Sequence, residues 1–118
     1  MSYDIYLNDP VTKEKIQLES PHRMRGGTYP FGGDLEAHVN MTYNYSAIIE
    51  RFLGYNGIRS IYGLSGADSL PPLRGAVAKL KDDVSTNYWE ATEGNVKRSL
   101  MQLIALAEMH PDGIWDGD

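Results

Sequence analysis

A small α+β domain is the architecture this sequence predicts, with about three antiparallel strands near the N-terminus packed by about three helices. Three observations predict it. Two early segments, Tyr3–Leu7 and Leu35–Thr42, alternate apolar and polar residues with the period of a half-buried strand. The later half carries apolar stripes at helical spacing, clearest in Val96, Leu100, Leu103, Ile104 and Ala107. The 118 residues are 42% hydrophobic and 23% charged, which fits one globular domain over residues 1–118 that buries a core without disulfides or metals.

The elements follow in order. Tyr3, Ile5 and Leu7 form the first strand, and Asn8-Asp9-Pro10 supplies turn chemistry. Lys15–Glu19 alternates again, so the two segments read as a hairpin with a long turn, ended by Pro21. His22–Asp34, rich in glycine, has no usable period and reads as a loop. Leu35, Ala37, Val39 and Met41 then point one way, with Glu36, His38, Asn40 and Thr42 on the other face of a third strand. Thr42 or Asn44 caps the next helix, which carries Ala47, Ile48, Arg51, Phe52 and Leu53 and stops at Gly54. Tyr55–Asp68 reads as irregular, with a short strand or helical turn around Ile58–Tyr62.

Ser69 is the expected cap of a second helix, with Pro71 and Pro72 in its first turn and Leu70, Leu73, Val77 and Leu80 on its buried stripe. Thr92 caps the third helix with Glu93 at its positive end, although a start near Asn87 is an alternative; Pro111 ends it. The tail Asp112–Asp118 is glycine-rich and acidic, with Trp115 as its one anchor.

Composition excludes several functions. The absence of cysteine removes thiolate metal sites, disulfides and cysteine nucleophiles, and fits a reducing cytoplasm. With a net charge of -5 and no basic block, no broad nucleic-acid surface is expected. No apolar run reaches the roughly 20 residues that span a bilayer, and Asp4 and Asn8 interrupt any signal-peptide pattern at the start. His22, His38 and His110 lack metal-ligand spacing, so no metal or cofactor is expected. Gly63-Leu64-Ser65-Gly66-Ala67 lacks the final glycine of a nucleophile elbow and reads as a structural turn.

The candidate ligand surface is built from aromatic and amide residues. Tyr29 and Phe31 lie between two Gly-Gly pairs, where a loop can approach a planar ligand closely. Tyr43, Asn44 and Tyr45 stand where the third strand feeds a helix start. His38 and Asn40 share a polar strand face with Glu36 and Thr42, a row that also reads as plain solvated sheet. Arg59, with Arg23, Arg25 and Arg51, supplies guanidinium forks for phosphate or carboxylate. Trp89 and Trp115 flank the third helix and read as lids folded onto the core; the competing reading makes them, with Asp116, a partner surface.

The runs VNMTYNYS, GIRSIYG, YWEATEGN and HPDGIWDGD resemble a family of small uncharacterised proteins encoded by phages and prophages, over most of the chain. The resemblance implies context and transfers no catalytic residue: a cytoplasmic accessory protein of an infected bacterium that binds a host factor or sequesters a small molecule. The expected function is therefore a non-enzymatic, anti-defence-type binding protein for a nucleotide-like ligand or host factor, with a homo-oligomer compatible with its helix stripes. An inhibitor of a host defence protein acting through an acidic, aromatic surface is the alternative, and a small hydrolase a second one.

Overall fold

The computed structural model describes residues 1–22 and 34–118. The fold is α+β, as the sequence predicts: an antiparallel three-stranded sheet with three helices packed on one face. Strand β1 (Ser2–Asn8) is central. It buries Tyr3, Ile5 and Leu7 and leaves Ser2, Asp4, Tyr6 and Asn8 on the outer face, the period-2 division that its alternation dictates.

The hairpin expected between the first two strands exists only next to its turn. Lys15 bridges Asn8, and Ile16 N donates to Leu7 O at 3.0 Å. The chain then leaves β1 as β2 (Gln17–His22), which continues past Pro21 and pairs with β3 (Asp34–Glu36). The expected third strand is correspondingly two elements. Ala37 breaks it, accepting from Leu7 N and donating to Ile16 O, both at 2.9 Å. Before this junction Leu35 belongs to β3 and is 44% exposed; after it β4 (His38–Thr42) runs antiparallel to β1, with Val39 opposite Ile5 and Met41 opposite Tyr3. The other edge of β1 is taken by β5 (Ile114–Gly117), which places Trp115 opposite Leu7. The acidic tail is thus a sheet strand, and its tryptophan is the anchor the sequence suggests.

A 3-10 turn at Tyr43–Tyr45, capped by Thr42 Oγ1, leads into α1 (Ser46–Leu53). Gly54 closes α1 at φ 90°, a conformation that favours glycine. The irregular stretch contains a 3-10 turn at Gly57–Ile61. Helix α2 (Gly66–Lys79) begins earlier than expected because Ser65, not Ser69, is its cap: Ser65 Oγ accepts from Asp68 N at 3.0 Å. Pro71 and Pro72 therefore lie inside the helix and withhold hydrogen bonds from the carbonyls of Ala67 and Asp68, both exposed residues that water can satisfy. Ser69 is instead buried, donating to Gly66 O at 2.7 Å and accepting from Trp115 Nε1 at 2.8 Å.

Helix α3 (Glu93–Met109) has the expected cap, with Thr92 Oγ1 accepting from Asn95 N at 3.1 Å. It packs on α2 and buries Val96, Leu100, Leu103, Leu106 and Ala107 against the sheet and α2. Its second residue, Gly94, touches the incoming chain: an added Cβ would lie 2.6 Å from Asp83 C and Val84 N. Gly94→Ala is therefore expected to cost about 1–3 kcal/mol through overpacking against backbone, read as a lowered urea midpoint.

Candidate functional site

Asn95, Ser99 and Gln102 recur at i, i+4 and i+7 and form a polar seam along α3, beside the apolar stripe. The seam faces the segment from Lys81 to Thr92, which has almost no regular structure and is held by side chains. Buried Asn95 does most of this. Its Oδ1 accepts from Ser85 N at 3.1 Å, and its Nδ2 donates to Glu90 O at 2.9 Å and to Asn87 O at 3.3 Å. From the other side, Tyr45 donates its phenolic O–H to Tyr88 O, and Asn44 Nδ2 donates to Trp89 O at 3.0 Å. Glu93 accepts from Lys81 N at 3.0 Å, and Ser85 Oγ donates to Glu90 Oε2 at 2.6 Å.

Between α3 and this strapped segment lies an open cavity of about 390 Å³, within the size range of small-molecule sites. Tyr45, Asn95, Ser99 and Gln102 form its floor, Val84, Ser85, Thr86 and Tyr88 its outer wall, and Arg98 completes the lining. Burial pushes the Tyr45 phenol well above its ordinary range, the neighbouring Tyr88 adds to this and Arg98 opposes it. Tyr45 therefore remains a protonated donor to the Tyr88 carbonyl.

Two lining groups are uncommitted among the described residues. Gln102 Oε1 is buried without a hydrogen-bond partner. Arg98 is exposed and has no carboxylate within ion-pair distance, whereas Arg51 pairs with Glu93 at 3.8 Å, Arg59 with Asp118 at 2.9 Å and Arg74 with Glu108 at 3.8 Å.

The sequence-predicted ligand residues are not gathered in one place. Tyr29 and Phe31 lie outside the described residues. His38 and Asn40 stand on the outer face of the sheet, where Asp4 Oδ1 accepts from Asn40 Nδ2 at 2.9 Å and lies 3.2 Å from His38 Nε2. The carboxylate that His38 and Asn40 meet is thus Asp4, across the strand pair; Glu36 pairs with Lys15 at 3.7 Å, and Thr42 is buried. Tyr6 stacks on His38 and carries Lys15 over its ring. Tyr43 and Arg59 are brought together on the opposite face, around Tyr3: the Tyr43 ring meets it edge-on at 4.5 Å and the guanidinium lies over it at 5.0 Å. Asn44 points to the 81–92 segment. Of the three expected partner residues, Trp115 is 1% exposed and is removed from any surface, Asp116 is exposed, and Trp89 is 46% exposed rather than folded onto the core.

Asp4 makes a prediction of its own. Its burial raises the carboxyl pKa, but hydrogen bonds from Asn40 and His38 outweigh this, aided by the charges of His38 and Lys15, and the result lies below the ordinary 3.8. A depressed folded pKa stabilises the fold at neutral pH, and that contribution is lost as pH falls through the folded value. Asp4→Asn is expected to flatten the fall of the urea midpoint below about pH 4 relative to the wild type; an identical acid limb would refute the pairing.

Sequence reasoning placed Tyr45 in the candidate ligand surface but missed the other residues that line the cavity beside it, Asn95, Arg98, Ser99 and Gln102 among them. The signal present was the i, i+4, i+7 spacing of amide and hydroxyl side chains on α3 immediately after Tyr88 and Trp89. Among the described residues no group of histidine and acidic side chains is placed to hold a metal ion, and no helix is long and apolar enough to cross a membrane. Comparison with known proteins finds no matching family model, no matching curated protein and no matching solved structure.

Proposed function

We propose that the protein is a non-enzymatic binding protein that holds a small ligand in the cavity between α3 and the 81–92 segment, in the accessory role that the resemblance to phage-encoded proteins implies. The supporting observation is the cavity itself: about 390 Å³, open to solvent, walled by a segment that side-chain hydrogen bonds hold in place. Binding is favoured over catalysis because the described lining contains no carboxylate, histidine or lysine to act as a base beside its hydroxyls.

The test is native mass spectrometry of protein purified from bacterial cytoplasm, alongside Thr86→Trp, a substitution on the exposed wall that fills the cavity. A small molecule released from the wild type and absent from a folded Thr86→Trp protein is the expected result. Retention of the same molecule by the filled variant would place it elsewhere.

A protein-partner reading has one observation in its favour, the exposed Trp89 packed at 5.2 Å on Tyr88. Its acidic component is weaker, because Glu93, Glu108 and Asp118 are engaged in ion pairs within the chain. If Trp89 anchors a partner, Trp89→Ala loses capture of that partner while leaving the cavity ligand in place.

A further inference from the structure

Resting on the cavity reading, we propose that the ligand is a small organic oxyanion that also carries a hydrogen-bond donor, with Arg98 taking the anion and the Gln102 amide reading the donor. The charge distribution supports the first half. The chain carries 16 carboxylates and a net charge of -5, yet none of the described residues lining the cavity is acidic. Among the described residues no carboxylate lies within ion-pair distance of Arg98, in contrast to Arg51, Arg59 and Arg74. A guanidinium fork is matched geometrically to phosphate and carboxylate, and it favours an oxyanion over a neutral or cationic ligand.

Gln102 supports the second half. Buried carbonyl oxygens are ordinarily paired, and Gln102 Oε1 has no partner among the described residues. The terminal torsion of a glutamine is broad, so the amide can turn its oxygen to an N–H or O–H entering the cavity. Arg98 and Gln102 are one turn apart on α3, with Cβ atoms about 6 Å apart. This spacing selects a molecule large enough to present an anion and a donor at once. Inorganic phosphate has the first without the reach, and an uncharged nucleoside has the second without the charge.

The experiment is isothermal titration of wild type, Arg98→Ala and Gln102→Leu with four probes: adenosine monophosphate, hippurate, adenosine and orthophosphate. Folding of each variant is checked by its amide NMR spectrum. The expected result is saturable binding of adenosine monophosphate or hippurate, at least tenfold tighter than adenosine and orthophosphate; which of the two binds separates phosphate from carboxylate as the oxyanion. Arg98→Ala is expected to weaken that binding about 10- to 100-fold, the range of a charge-assisted hydrogen bond, and Gln102→Leu several-fold. Adenosine binding as tightly as its monophosphate, with Arg98→Ala unchanged, overturns the ligand class while leaving the cavity reading intact, provided Thr86→Trp abolishes that binding. Failure of all four probes to bind the wild type also overturns the class, and the native mass spectrum then decides the cavity reading independently.

Discussion

Trp115→Ala is expected to lower stability by about 3–5 kcal/mol, a large share of the roughly 5–15 kcal/mol available to a domain. The residue carries three contributions that alanine loses. Its ring is 1% exposed and fills the centre of the core. Its indole N–H donates to buried Ser69 at 2.8 Å, which ties the C-terminal strand to the start of α2. Its position holds β5 between β1 and the 63–65 segment, with Trp115 N donating to Leu64 O at 2.9 Å and Gly63 N donating to Trp115 O at 2.8 Å. Those backbone bonds survive substitution only if the strand stays docked. Urea denaturation measures the loss. Trp115→Phe, which keeps much of the apolar area and removes the donor, is expected to fall between the two proteins, and Trp89→Ala to change stability by less than about 0.5 kcal/mol as an exposed position.

Asn95→Ala is expected to cost about 2–4 kcal/mol, because one truncation breaks three hydrogen bonds and leaves backbone groups of Ser85, Asn87 and Glu90 to find other partners. Its effect is also local. The 81–92 segment is the outer wall of the cavity, so the substitution should release fast amide exchange at residues 85–90 and abolish ligand binding even at a temperature where α3 remains folded. Asn95→Asp is a sharper version: it keeps the acceptor for Ser85 N, removes both donors, and sets a charge against the carbonyls of Asn87 and Glu90. Amide exchange monitored by NMR distinguishes local release from global unfolding. Protection of residues 85–90 equal to that of the wild type would show that Asn95 does not hold the wall.

What the sequence made legible was local. Thr92 as a cap, the alternation of β1, the stop at Gly54 and the stripe of α3 are each set by residues close in the chain, and the structure has them. The exchange of partners was not legible. Whether β2 stays with β1 or departs to β3 depends on Ala37, which bonds to both Leu7 and Ile16 and so enters between them, while the far edge of β1 is filled by β5 from the other end of the chain. Alternation specifies a strand and its buried face, not its neighbour. The α2 start shows competition between two serines: Ser65 and Ser69 are both competent caps, and burial of Ser69 beside Trp115 decides between them.

The candidate site divides in the same way. Tyr43 and Arg59 do meet, but around Tyr3, whereas His38 and Asn40 are turned to the opposite face by the pleat of β4. Both tryptophans have the same apolar character in the sequence, and only packing separates the buried Trp115 from the exposed Trp89. The uncommitted state of Arg98 was invisible for a further reason. It is defined by where every acidic side chain ends up, and the acids that pair Arg51, Arg59 and Arg74 lie 34 or more residues away in the chain.

Binding in the cavity on α3 can be followed residue by residue. The most direct test is an NMR titration of isotope-labelled protein with adenosine monophosphate and with hippurate, following backbone amides together with the Arg98 Nε–H and the Gln102 side-chain amide. Saturable shifts confined to Tyr45, residues 84–88 and residues 95–102, with both side-chain signals moving, are the predicted result. Shifts centred on Asp4, His38 and Asn40, or on Tyr43 and Arg59, with the α3 signals unmoved, would contradict it.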